Sequence, residues 1–177
     1  MKATGIVRRI DDLGRVVIPK EIRRTMRIRE GDPLEIYTDR DGEVIFKKYS
    51  PIGEISQFAA QYAETLNKTC SLAVVICDRD NVIASAGIPK REVADRKLSR
   101  ELEDIMEGRT FFSANGSDIS VVEGGQHYIS CCMPIISGGD ITGCVACVRT
   151  DNTPADPRLE AKLIQTAAGF FGRQLEE

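Results

Sequence analysis

The first fifty residues of the chain hold four short runs of β-type residues and room for only one helix of about two turns. β-Branched side chains predict strands at residues 4–10 and 15–18, and Pro19 suits the first turn of a short helix at residues 19–27. Two alternating runs about the turn at residues 39–42 predict a hairpin. A unit so small, with so little helix, cannot bury a sufficient core by itself. We therefore predict that two chains intertwine and complete one shared core.

Residues 51–177 predict a second, larger domain. Ser50 and Pro51 suit the N-cap and the first position of a helix, so we place the boundary between domains 1–50 and 51–177 there. The predicted order is helix, two strands, helix, three strands and helix, which favours an antiparallel sheet flanked by helices and an α+β chain. The strands are predicted at residues 70–77, 82–86, 119–122, 128–136 and 142–148.

Apolar stripes at a period of 3.6 residues predict the three helices of the larger domain. The first stripe runs from Ile52 to Leu66, the second helix ends at Gly108, and the third begins at Asp156 and Pro157. The third helix is predicted to bury Leu159, Leu163, Ala167, Phe170 and Phe171.

The six cysteines are predicted to be reduced, buried and without metal. Cys144 and Cys147 lie three residues apart on a predicted strand, and Cys131 is adjacent to Cys132, so each pair points to opposite faces of the sheet and is unsuited to one ion or one bridge. His127 is the only histidine, which limits catalytic triads and histidine-based metal sites. We therefore expect neither a cofactor nor an enzyme.

The charges are divided unevenly along the chain, whose net charge is -3. Residues 1–50 carry 12 Lys and Arg against 9 Asp and Glu, whereas residues 51–177 carry 12 against 18. Within residues 1–29 the basic residues outnumber the acidic ones by 9 to 3. This asymmetry predicts a polyanion-binding site confined to the amino-terminal end.

Two absences define the expected compartment. No apolar run reaches the ~18 residues of a membrane helix. The chain starts with Met-Lys-Ala-Thr-Gly and has no apolar segment of the kind that follows the positive start of a secretory signal. We expect a cytoplasmic protein without a membrane partner.

One face of the short helix is predicted to meet double-stranded DNA. Ile22 and Met26 fall on one side of the helix, and the basic residues fall on roughly the opposite side. These basic residues are Lys20, Arg23, Arg24 and Arg27. Arginine can bind phosphate or guanine edges with two hydrogen bonds. A single short helix cannot form a helix-turn-helix, and few aromatic residues are present to stack single-stranded bases.

The same residues resemble the AbrB-type family of transition-state regulators. The resemblance rests on TGIVRRID at residues 4–11, LGRVVIP at residues 13–19 and EIRR at residues 21–24. It implies a swapped-hairpin dimer that dimerises and binds DNA through residues 1–50. The matching positions imply DNA contacts by Arg8, Arg15, Arg23 and Arg24, with Arg9 and Lys2 as further candidates.

The element order of residues 51–177 resembles a GAF sensor domain. Together the two halves resemble a family of sporulation regulators from endospore-forming bacteria. That resemblance implies sequence-selective activation and repression of late, forespore-stage genes by a tetramer whose GAF domains pair. Asn67 and Lys68 are not followed by the remainder of the cyclic-nucleotide motif, which argues against a cyclic nucleotide as the ligand. The identity and existence of any other ligand stay open. Small residues near Ser130 and Gly138 are consistent with either a ligand pocket or tight packing.

Two other classes of function are alternatives to a DNA-binding regulator. Some antitoxins share the swapped-hairpin module, but they usually end in a short flexible tail, whereas residues 51–177 predict a folded domain. A redox or hydrolytic enzyme would have to use the cysteines, which the divergent pairs and the lone histidine disfavour.

Overall fold

The computed structural model describes residues 4–94, 96–151 and 156–176. The chain divides into two compact units, Met1–Tyr49 and Ser50–Glu177. The first unit is built from little regular structure and the second from a sheet with helices on both faces.

The first unit contains one helix and one hairpin. Helix α1 covers Lys20–Thr25, and strands β1 and β2 cover Leu34–Thr38 and Val44–Lys48. The two strands pair in antiparallel fashion from Leu34 opposite Lys48 to Thr38 opposite Val44. The predicted hairpin is therefore present. The predicted helix is present but shorter at both ends, because Pro19 is its N-cap residue, Met26 is its C-cap residue and Arg27 has a φ of 51°.

The strands predicted for residues 4–10 and 15–18 are not formed in the single chain. Apart from half-buried Ile18 both segments are exposed, and neither belongs to a ladder within the residues that the structure describes. The turn between them is present, because the amide of Gly14 donates to the carbonyl of Asp11 at 3.0 Å. Strand character needs a neighbouring ladder for its backbone groups. Sequence propensity alone could not supply that neighbour.

The second unit has four α-helices, five strands and a single 3-10 turn at Lys90–Glu92 among its described residues. The helices are α2 (Pro51–Glu54), α3 (Ser56–Cys70), α4 (Arg100–Glu107) and α5 (Pro157–Gln174). The strands are β3 (Ala73–Cys77), β4 (Val82–Ala86), β5 (Phe112–Ser113), β6 (Ile129–Ser137) and β7 (Asp140–Val148). They form one antiparallel sheet in the order β4-β3-β7-β6-β5. The predicted α+β class and helix-flanked antiparallel sheet are confirmed.

Two buried clusters fill the two faces of this sheet. Helices α3 and α5 cover one face, where Phe171 and Ile164 are fully buried. Helix α4 covers the other face through Leu102 and Met106. The adjacent cysteines Cys131 and Cys132 lie in different clusters, as do Cys144 and Cys147. The prediction that each pair diverges across the sheet is confirmed.

Local capping explains where two helices begin. The hydroxyl oxygen of Ser50 accepts from the amide of Gly53 at 3.1 Å, and Pro51 follows as the first helical residue. The carboxylate of Asp156 accepts from the amide of Arg158 at 3.0 Å at the start of α5. These side chains satisfy amide donors that have no partner within the helix.

Three details of the larger unit correct the sequence predictions. The first predicted helix is interrupted at Ile55, which lies between α2 and α3. Residues 119–122 make only isolated bridges, and the fifth strand is β5 instead. In α5, Leu159 and Phe170 are 49% and 39% exposed, whereas Glu160 is buried. The prediction that Leu159 and Phe170 are buried is therefore wrong. Periodicity identifies an apolar stripe, but it does not show which of its side chains face the core.

Candidate nucleic-acid interface

Helix α1 presents the two arginines for which helix geometry and family resemblance agree. Arg23 and Arg24 occupy its last turn, and both are exposed. Within the described part of the chain, neither guanidinium forms an ion pair. The carbonyl of Arg23 accepts from the amide of Ile28 at 2.8 Å, which holds the end of the helix. Both side chains are therefore available to an anion from solvent.

Arg15 lies on the turn that precedes α1, and among the candidates that the structure describes it is the one held by an acidic neighbour. Its Nε donates to Oδ2 of Asp11 at 2.8 Å, while 69% of its side chain stays exposed. Oδ1 of Asp11 accepts from the amides of Leu13 and Arg15 at 3.0 and 2.8 Å. The amide of Arg15 and then its guanidinium lower the pKa of Asp11. A φ of 75° at Gly14 completes the turn in a conformation that favours glycine.

Arg8 and Arg9 lie on the extended segment before this turn. Both are exposed, and neither forms an ion pair with any described residue. Lys2, the remaining candidate, falls outside the residues that the structure describes. The candidates thus lie on three consecutive pieces of chain: an extended segment, a tight turn and a short helix.

Apolar side chains of the first unit are exposed beside these arginines. Val7 is 88% exposed, and Ile10, Leu13 and Val17 are each at least 70% exposed. The hairpin adds Ile36 at 61%. Among described residues 4–49, only Pro19 is buried. The first unit therefore has almost no core within one chain.

Sequence reasoning missed Asp11 as part of this surface. Its signal was an aspartate at the first position of a turn that ends in Gly14 and Arg15. Aspartate at such a position commonly accepts backbone amides two or more residues ahead. The side-chain pairing with Arg15 could have been suspected from that geometry.

The small residues of β6 and its turn contact two glutamates, one in α5 and one near the carboxyl-terminal end of the chain. Oγ of Ser130 contacts Oε1 of Glu160, and Sγ of Cys131 lies 3.6 Å from the same oxygen. The amide of Gly138 donates to Glu176 at 2.9 Å. Glu160 is only 6% exposed and its partners are neutral.

An open cleft lies elsewhere on the second unit. Its volume is about 510 Å³, and its lining is small and uncharged. The lining residues are Asn67, Ser71, Ala73, Gly87 and Thr150. The amide nitrogen of Asn67 already donates to the carbonyl of Leu72 at 2.9 Å.

Comparisons with known proteins identify both halves. The family model described as "Stage V sporulation protein T C-terminal, transcription factor" matches residues 54–176. Stage V sporulation protein T of Bacillus subtilis (strain 168) is 49% identical in an alignment of 180 positions, which covers 100% of this chain and 100% of that protein. The chain belongs to the stage V sporulation protein T family. The identification of this family from sequence is confirmed.

Relatives of the separate halves agree with this assignment. Transition state regulatory protein AbrB of Bacillus subtilis is 43% identical over 101 residues, covering 56% of this chain and 88% of AbrB. Residues 7–54 also match the family "Antidote-toxin recognition MazE, bacterial antitoxin". The GAF domain of a phosphoenolpyruvate-protein phosphotransferase from Coxiella burnetii is 14% identical, with a TM-score of 0.52 over 68% of this chain and 82% of that one. That structure confirms the GAF fold. Among the described helices, none combines the length and apolar character needed to cross a membrane.

Proposed function

We propose that the chain is a sequence-selective, double-stranded DNA-binding transcription regulator that activates and represses late sporulation genes. Its work is divided between a DNA-binding and dimerisation domain at residues 1–50 and a GAF-type sensor and oligomerisation domain at residues 51–177. The observation that carries the proposal is the exposed, unpaired state of Arg23 and Arg24 on a unit whose apolar side chains one chain leaves exposed. Such a protein acts in the cytoplasm, where the DNA is, and needs no catalytic group.

DNA contact falls to the arginines of the first unit. Arg23 and Arg24 bind phosphate or base edges from α1, and Arg15 does so from the turn. Arg8, with Arg9 and Lys2, extends this surface along the amino-terminal segment. Few of these side chains can read a base code, so DNA shape and deformability supply much of the selectivity.

The first unit functions as an intertwined dimer. Exposed Val7, Ile10 and Val17 lie on the segment whose strands lack a ladder in one chain. A second chain that supplies those ladders would bury the same apolar side chains. Each fully buried side chain of this size contributes about 1.5–3 kcal/mol. Several of them offset the cost of ordering the two segments.

The salt dependence of DNA affinity tests the role of the arginines. Four arginines per chain give about eight phosphate contacts in a dimer, and the slope of log K against log salt is then about -7. Replacing Arg23 and Arg24 by Ala removes about half of these contacts and reduces the slope to about -4. The matched control replaces exposed Arg91 and Arg100 of the second unit, which we expect to leave the slope near its original value. An unchanged slope in the first variant would contradict the proposal.

A tetramer forms when the GAF-type domains of two dimers pair through α3 and α5. Phe58 and Phe170 are 38% and 39% exposed, and their ring centroids lie 5.7 Å apart. Tyr62 stacks on Phe170 at the same distance. With Leu159, which is 49% exposed, these side chains form an outward apolar surface on the second unit. Exposed aromatic groups of this kind are enriched at protein interfaces.

Sedimentation of a Phe58→Ser, Phe170→Ser variant tests the pairing. We expect the tetramer of the unaltered chain to become a dimer, because the apolar contact is lost while the first unit is unchanged. The control is Phe111→Ser, which removes an aromatic ring outside this surface. A variant that stays tetrameric at the same concentrations would overturn the assignment of the surface.

Regulation by a small ligand or a partner would act by changing how the GAF-type domains pair. Both faces of the sheet are filled by buried side chains, so a small molecule would have to bind outside the two cores. The open cleft beside Ser71 and Gly87 is one such place among the described residues. Calorimetry with candidate metabolites, compared between the chain and a Ser71→Arg variant at this exposed lining residue, tests that position.

An antitoxin-like interaction protein is the second candidate, because residues 7–54 match the MazE family. An antitoxin of that type would follow the module with a flexible segment that wraps its toxin. Ser50–Glu177 is instead a compact unit with two buried clusters. Limited proteolysis separates the candidates: a resistant fragment beginning near residue 50 supports the regulator, and rapid loss of this half supports the antitoxin.

A further inference from the structure

Asp11 makes two kinds of contact from one carboxylate. Oδ1 accepts the amides of Leu13 and Arg15, and so it closes the turn. Oδ2 accepts from Nε of Arg15 at 2.8 Å, and so it fixes the direction of that side chain. The amide of Asp11 also donates to the carbonyl of Arg15 at 3.0 Å. The two ends of the turn, Asp11 and Arg15, are thus joined by three hydrogen bonds, two of which use the carboxylate.

This arrangement leaves most of the Arg15 guanidinium available. The group has five N–H donors, and Asp11 uses only the one at Nε. The four N–H groups on the two Nη atoms form the outer edge of the fork, which can bind a phosphate or the O6 and N7 atoms of guanine with two hydrogen bonds. The side chain is 69% exposed, so this outer edge can be reached from solvent.

We propose that Asp11 is a positioning residue for DNA recognition, which holds the guanidinium of Arg15 in its binding orientation before DNA arrives. The proposal rests on the proposed function, since it assigns a role within the same surface. A free arginine side chain loses rotamer freedom when it binds, and an arginine already held by a carboxylate has less to lose.

Electrostatic repulsion alone predicts the opposite change in DNA affinity when Asp11 is neutralised. An acidic residue beside a DNA-binding arginine repels the phosphates, so its neutralisation should tighten binding. If positioning dominates, neutralising Asp11 weakens binding even though the surface becomes more positive. The direction of the change therefore separates the two effects.

The adjacent residue supplies a matched control. Asp12 is exposed and forms no hydrogen bond or ion pair with the described residues, yet it has the same charge one position away. In Asp11→Asn, the amide oxygen can still accept the turn amides, but the charged partner of Arg15 is gone. We expect Asp11→Asn to lower DNA affinity at least about threefold for each Arg15 engaged. We expect Asp12→Asn to leave affinity unchanged or raise it.

A double-mutant cycle with Arg15→Ala completes the test. If Asp11 acts through Arg15, Asp11→Asn no longer weakens binding in the Arg15→Ala background. If Asp11→Asn lowers DNA affinity equally in both backgrounds, Asp11 only maintains the turn. If the Asp11→Asn variant binds DNA as tightly as the Asp12→Asn variant, Asp11 does not position Arg15. Either result overturns the inference. If DNA affinity also fails to respond to loss of Arg23 and Arg24, the proposed function itself is wrong.

Discussion

Replacement by alanine should have opposite effects on stability at two glycines of α5. Gly169 and Gly172 lie three residues apart inside one helix. A Cβ added at Gly169 would meet nothing within 4 Å. A Cβ added at Gly172 would lie 2.4 Å from the carbonyl oxygen of Ile136, which belongs to β6. Alanine should therefore stabilise the protein at the first position and destabilise it at the second.

The magnitudes follow from helix propensity and from the close contact. Alanine in place of glycine inside a helix is worth about 0.8–1 kcal/mol. Gly169→Ala gains this amount in full. Gly172→Ala gains it as well, but the new methyl group forces α5 away from a backbone oxygen that cannot rotate aside. Overpacking of a core costs about 1–3 kcal/mol, and so short a contact places this change in the upper half of that range. The net loss is then about 1–2 kcal/mol.

Thermal unfolding of the full chain measures both changes. For a chain of this size, 1 kcal/mol shifts Tm by about 2–4 °C. We expect Tm to rise by about that much in Gly169→Ala and to fall by a similar or larger amount in Gly172→Ala. Because Gly169 is next to Phe170 of the proposed pairing surface, the comparison is repeated over a range of protein concentrations. A rise of equal size in both variants would refute the close packing of α5 on β6.

Two further sets of measurements address the helix caps and the thiols. Ser50→Ala and Asp156→Ala each remove a capping acceptor, and each should lower the free energy of unfolding in urea by about 1 kcal/mol; no change in either variant would mean that the cap is dispensable. Five of the six cysteines are buried, so only Cys70 should react rapidly with a thiol reagent in the native chain, and fast labelling of a second thiol would contradict this. Burial and then Glu160 raise the pKa of Cys131 to about 12. In the unfolded chain the thiol of Cys131 loses its proton at a lower pH than in the folded chain. The free energy of unfolding should therefore fall as the pH rises from about 9 to 12, and Cys131→Ala should make that fall smaller.

The features that could be predicted from sequence are those fixed by local chemistry. Ser50 and Pro51 specify the start of α2 because a cap involves only neighbouring residues. The divergence of Cys144 and Cys147 follows from the period of two in a strand. The hairpin of β1 and β2 likewise follows from alternating residues about a short turn.

The features that could not be predicted depend on distant partners. Buried Glu160 of α5 contacts the hydroxyl of Ser130 on β6. Because these two residues are distant in sequence, no local pattern predicts their contact. Outward Leu159 and Phe170 read as core residues because an apolar stripe does not say which surface it faces. In the candidate site, helix geometry predicts the exposure of Arg23 and Arg24. The pairing of Arg15 with Asp11 does not follow from helix geometry, because it forms across a turn.

The uneven distribution of core between the two units has a thermodynamic consequence. All the buried hydrophobic side chains of the described residues belong to the second unit, from Ile52 onward. If the first unit, with Pro19 as its single buried described residue, gains its stability from a second chain as proposed, its stability depends on protein concentration. Folding, pairing and DNA binding of the first unit are then one linked equilibrium. If the second units also associate, they hold two first units at a high effective concentration, and pairing becomes intramolecular. Weakening the surface around Phe170 should therefore reduce DNA affinity most at low protein concentration, although that surface bears no DNA-binding arginine.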